Sequence, residues 1–116
     1  MGIALIVLAA LLGIAAAGSG IQKLRRDATV VSAMHAVGVR DPQIPILAIL
    51  ELLGAAGLIV GIWVPFLGMA AAIGLALYFL GAVIAHIRAK SSAKETAPAF
   101  IIMLIAIATA ILEVMR

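Results

Sequence analysis

Glu51 is the one charged side chain in the apolar stretch from Pro45 to Val64, and it is the residue with the clearest chemical potential in the chain. A carboxylate placed in hydrocarbon costs several kcal/mol unless it is protonated, paired or hydrated, so such a group marks a functional site by default. There it can accept a proton or anchor a polar head. Three other side chains could complete a site with it: Lys23 as a cation on a flexible stem, Tyr78 as a phenol, and His86 as a group that titrates near neutral pH. His35 is a second titrating candidate on a more polar segment. Nothing assigns a catalytic residue. There is no phosphate-binding glycine loop, no nucleophile elbow and no zinc-protease helix motif. With two histidines far apart in the sequence and no cysteine, no metal site is expected and dithiol chemistry is excluded. A haem held by His35 and His86 is disfavoured, because both fall at segment ends rather than facing each other within two spans.

The elements that must position these groups are four long apolar runs. Hydrophobic residues make up 66% of the 116 residues and charged ones 11%, a balance too apolar for water to be the main solvent. Spans are expected at about 3–21, 44–64, 66–87 and 97–114, which leaves no room for a soluble catalytic domain. The fold class is therefore all-α, an integral membrane four-helix bundle forming one transmembrane domain. Ala15-Ala16-Ala17 has cleavage-site character, but the first run lacks the basic region of a secretory signal and is read as a retained span.

Between the first two spans, residues 27–38 carry apolar side chains at helical spacing among polar ones, which predicts a short interfacial helix. Asp27 suits its N-cap and Gly38 its stop. Trp63-Val64-Pro65-Phe66 makes a tight, charge-free turn between spans two and three, and residues 88–96 form a polar loop between three and four.

Lys23, Arg25, Arg26 and Arg40 lie in the first connection and Arg88, Lys90 and Lys94 in the third, against Arg116 alone elsewhere. Basic residues concentrate on the cytoplasmic side, so both polar connections are expected inside and both termini outside. The same logic makes the net charge of +3 a statement about orientation, and nucleic acid is not an expected partner.

Helices in lipid associate through small residues that let backbones approach. The expected packing faces are Ala9, Gly13, Ala16 and Gly20; Gly54, Gly57 and Gly61; Gly74, Gly81 and Ala85 with Tyr78; and Ala99, Ala106 and Ala110 with Glu113. In this arrangement Glu51 lies roughly 10 Å and Tyr78 roughly 14 Å from the cytoplasmic ends of their spans at 1.5 Å per residue, which allows them to bond. Lys23 can reach the same level. His86 projects roughly a quarter-turn round its helix from Tyr78, so the two need not share a site. Glu113 is expected as a hydrated helix-end carboxylate offset by Arg116.

Gly20-Ile21-Gln22-Lys23-Leu24 closing the first span, the Gly38–Pro45 connection, Glu51-Leu52-Leu53-Gly54-Ala55-Ala56-Gly57-Leu58-Ile59-Val60-Gly61, and Gly81-Ala82-Val83-Ile84-Ala85-His86-Ile87-Arg88 together resemble the DoxX-like family of small four-helix membrane proteins. The likeness covers nearly the whole chain. It implies a bacterial cytoplasmic (inner) membrane protein and a link to quinone-associated or other membrane redox complexes. The absence of cysteine argues against carrying thiol chemistry across from that analogy.

The leading expectation is an accessory or ligand-binding subunit, more a binder than an enzyme by itself. It would hold a lipid, quinone or protein partner, with Glu51, Lys23, Tyr78 and His86 as ligand-binding residues. A subunit of a quinone-coupled oxidoreductase is the alternative, with a redox or other membrane protein as partner. A small transporter acting as a homo-oligomer is a third reading, since one four-helix unit encloses little space.

Overall fold

A computed structural model describes residues 2–116, in which five helices follow one another with short connections. They are α1 (Ile3–Leu24), α2 (Ala28–Ala36), α3 (Gln43–Val60), α4 (Pro65–Arg88) and α5 (Ala93–Met115). All but α2 are long and apolar enough to cross a membrane. At 1.5 Å per residue the 24 residues of α4 extend about 36 Å, enough for a hydrocarbon core of about 30 Å.

Local sequence explains most helix ends. Asp27 caps α2 by accepting from the backbone N–H groups of Thr29 and Val30, and Gly38 ends that segment at φ +88°, a left-handed conformation that favours glycine. Pro65 occupies the first turn of α4, where its missing N–H has no cost. α5 starts four residues before the expected 97, because Ser92 and Glu95 form a reciprocal capping box that nucleates the helix ahead of its apolar run. Pro98 therefore lies inside α5. Span two is shorter than expected, with α3 stopping at Val60 and Gly61–Trp63 turning the chain.

The four long helices form a ring in which α1 packs on α3, α3 on α4, α4 on α5, and α5 back on α1. Successive spans alternate in direction, so each neighbouring pair is antiparallel. The centre is filled by Leu12, Ala16, Ala55, Leu58, Ala72, Leu75, Phe79, Val83, Met103 and Ala106, a mixture of small and large side chains. Outward lie Leu11, Ile14, Leu53, Ile59, Leu77, Ile101 and Ile111, each at least half exposed. Only 22–28% of each span is buried inside the bundle, the inverse of a soluble core and the pattern expected where lipid is the solvent.

The α3–α4 seam shows the close approach that small residues permit. A Cβ on Gly54 would stand 2.6 Å from Leu75 and one on Gly57 2.8 Å from Ala71, while one on Gly61 would overlap the backbone of Gly68. On α1, a Cβ on Gly20 would stand 3.0 Å from the Ala48 carbonyl oxygen. The expected face of α4 is corrected. Gly74 and Gly81 meet no neighbouring helix but border open space, Gly74 an outer groove and Gly81 a cavity, and α4 instead packs through Gly68, Ala72, Leu75, Phe79 and Val83. Leu75 fills the volume that Gly54 leaves, whereas Gly57 against Ala71 and Gly61 against Gly68 place small residues on both partners.

Candidate functional site

The α3–α4 register that pairs Gly61 with Gly68 and Gly54 with Leu75 brings Glu51 opposite Tyr78. The Tyr78 hydroxyl donates to Glu51 Oε1 at 3.0 Å. Lys23 arrives from α1. Helical side chains lean toward the N-terminus of their helix, so a lysine in the last turn of α1 leans back into the bundle rather than out of it. Its Nζ donates to Ser19 Oγ at 2.8 Å and to Glu51 Oε1 at 2.5 Å. The ion pair is closed to solvent, with side-chain exposures of 7% for Lys23 and 0% for Glu51. One carboxylate oxygen thus ties α1, α3 and α4 together, while Glu51 Oε2 is buried without a partner.

Directly beside this cluster is a cavity of about 450 Å³, within the size range of small-molecule sites. Its polar wall is supplied by Lys23, Tyr78 and His86, with Ser19 and Glu95. The apolar wall comes from Met34 of α2 and Val37 just after it, from Phe79 and Ala82 of α4, and from Ile102 of α5. His86 and Tyr78, eight residues apart on α4, therefore border the same space. The His86 Nδ1 atom is buried and has no hydrogen-bond partner. Glu51 itself is not part of the wall; it stands behind Lys23 and Tyr78 and fixes both. Lys23 uses two of its three N–H groups on Ser19 and Glu51, which leaves one free for the cavity.

α2 borders this cavity through Met34, and the connection after it through Val37 and Val39, and a polar cluster ties that connection together. His35 Nε2 lies 2.7 Å and Arg26 Nη2 3.1 Å from Asp41 Oδ1, and these contacts, His35 first, hold the Asp41 carboxyl below its ordinary value. His35 thus serves the connection and does not line the cavity.

At the opposite end Glu113 departs from expectation. It is buried, 4% exposed, and its carboxylate packs over Gly68, where a Cβ would stand 2.6 Å from Oε2. The cause is the same backward lean that takes Lys23 inward. Arg116 Nε lies 3.1 Å from Glu113 Oε2, and its guanidinium also donates to the Gly61 carbonyl oxygen. Ser19 and Glu95 were not singled out from the sequence; the i−4 spacing of Ser19 from Lys23 was the available signal for the first. Among the described residues no three His, Cys, Asp or Glu side chains gather as a metal-binding group.

Four antiparallel apolar helices around a buried polar cluster define a small multi-pass helical membrane protein. The sequence pattern of the DoxX-like family matches residues 7–109, and the chain belongs to that family. No curated protein and no solved structure matches it.

Proposed function

We propose that this DoxX-like protein is a membrane-embedded binding subunit for an amphipathic small molecule with a hydrogen-bond-accepting head and an apolar tail, a lipid or a quinone. The observation that carries this reading is the cavity of about 450 Å³, whose walls are mostly apolar but onto which the free N–H of Lys23, the Tyr78 ring and the unpartnered His86 converge. A carbonyl or quinone oxygen fits those groups. A second anion fits poorly, because Glu51 already neutralises Lys23 and Glu95 adds negative charge at the mouth. Glu51 acts as a positioning residue, holding Lys23 and Tyr78 in place from behind.

The distribution of basic residues supports placing the cavity mouth and α2 at the cytoplasmic face of a bacterial inner membrane, with both termini outside. In that setting α2 is an interfacial lid, and a membrane protein partner would collect the ligand at the same face.

Native mass spectrometry of the protein purified in mild detergent tests the reading. The expected result is a retained small molecule that is lost in Ala85→Phe, which fills the cavity, and diminished in Glu51→Gln while the helix content is unchanged. A protein that carries only bulk lipid, equally in all three forms, would overturn it.

A further inference from the structure

Tyr78 and Leu77 form part of the wall of a second hollow, a groove of about 590 Å³ on the outer side of the α3–α4 seam. It is walled by Leu50, Leu53 and Gly57 of α3 and by Leu67, Ala70 and Gly74 of α4. Its depth comes from Gly74, which has no side chain and faces open space. From Tyr78 to Leu67 the groove follows twelve residues of α4, a rise of about 17 Å at 1.5 Å per residue. Because those residues face hydrocarbon, the groove cannot stand empty in a bilayer.

We infer that the groove between α3 and α4 is the tail seat of the ligand whose head occupies the polar cavity, and that this ligand enters sideways from the bilayer past Tyr78 and Leu77. The inference rests on the binding reading proposed above and adds to it the class of ligand: a molecule with a single chain of about the groove's length, not a two-chain phospholipid. Continuity carries the assignment. The cavity and the groove share Tyr78 and Leu77, and the Tyr78 hydroxyl is held at Glu51, so its ring stands at the junction of the polar and apolar compartments. A second copy of the chain is the weaker occupant. Gly54 and Gly57, which would otherwise offer a helix-docking stripe, are already filled by Leu75 and Ala71 of the same chain.

The test uses the full chain in phosphatidylcholine nanodiscs and two probes, a benzoquinone carrying a decyl chain and the same ring carrying a methyl group. Gly74→Leu blocks the groove without disturbing the bundle, because a Cβ at position 74 meets nothing within 4 Å and leucine favours the helix. The expected result is a loss of about tenfold or more in affinity for the decyl probe, with the methyl probe changed by less than about twofold. A diazirine at the end of the decyl chain should label the segment from Leu67 to Gly74. Equal affinities for the decyl probe in wild type and Gly74→Leu, or labelling confined to α1 or α5, would overturn the tail seat and leave the head site standing. A disulfide-linked dimer through Gly74→Cys, with no labelling of the groove, would also overturn it. Failure of both probes to bind the wild type would overturn the head site and the tail seat together.

Discussion

Lys23 Nζ lies 2.5 Å from Glu51 Oε1, and the two side chains shut each other off from solvent at the point where α1, α3 and α4 meet. A buried pair of this kind adds little net stability but is costly to break on one side, because the survivor is left charged in a medium of low dielectric. Lys23→Met should therefore destabilise the bundle by about 3–5 kcal/mol, and Lys23→Met combined with Glu51→Leu should recover most of that loss. Reversible unfolding of the wild type, both single variants and the double variant in mixed micelles measures the coupling directly.

Tyr78→Phe removes one donor from the same carboxylate oxygen while keeping the ring that borders the cavity. A hydrogen bond to a charged group contributes about 1.5–3 kcal/mol, so a loss in that range is expected by thermal unfolding, with the helix content unchanged. Affinity for a quinone-type probe should fall less in this variant than in Ala85→Phe, because the cavity stays open.

The two kinds of glycine on α4 should respond in opposite directions. Gly68→Ala drives a methyl group into the Glu113 carboxylate and should cost about 1–3 kcal/mol as overpacking. Gly74→Ala and Gly81→Ala face open space and should be neutral or stabilising by up to about 1 kcal/mol through helix propensity. Melting temperatures in detergent separate the two cases.

The connection that holds α2 carries a predictable acid sensitivity. Asp41 is lowered from its ordinary value of 3.8, so the stability it contributes is fully present above that value. It is lost as pH falls below 3.8 through the lower folded-state value. Amide exchange across Val37–Arg40, compared with Asp41→Asn at each pH, should differ between the two proteins at neutral pH and converge in acid.

Orientation is open to a clean chemical test because the chain has no cysteine of its own. Trp63→Cys should react with an impermeant maleimide on intact spheroplasts, and Lys90→Cys only after the membrane is opened.

Much of this architecture can be read from residue order, and the parts that cannot share a physical cause. The apolar runs, the Asp27 cap, the Gly38 stop and the depth match of Glu51 with Tyr78 depend on local pattern or helix rise, which are one-dimensional quantities. That Gly74 and Gly81 border open space rather than a neighbouring helix depends on how far α4 rotates about its axis, and that is set by Leu75 filling the space beside Gly54 and Ala71 the space beside Gly57. The sealing of Glu113 over Gly68 likewise needs α5 docked on α4. His86 could be placed on its helix but not in the cavity, because α2 and α5 supply the walls that make the space shared. The early start of α5 is different in kind, since Ser92 and Glu95 stand at capping-box spacing, a local signal that a span drawn on the apolar run alone does not use.

Binding of the decyl-benzoquinone probe to the nanodisc-embedded protein, titrated beside Ala85→Phe and His86→Leu, tests the head site most directly. Saturable one-to-one binding that is abolished by Ala85→Phe and weakened by His86→Leu is expected. Linear, unsaturable uptake of equal slope in all three proteins would show that the probe merely dissolves in the lipid, and would contradict a built site at Lys23, Tyr78 and His86.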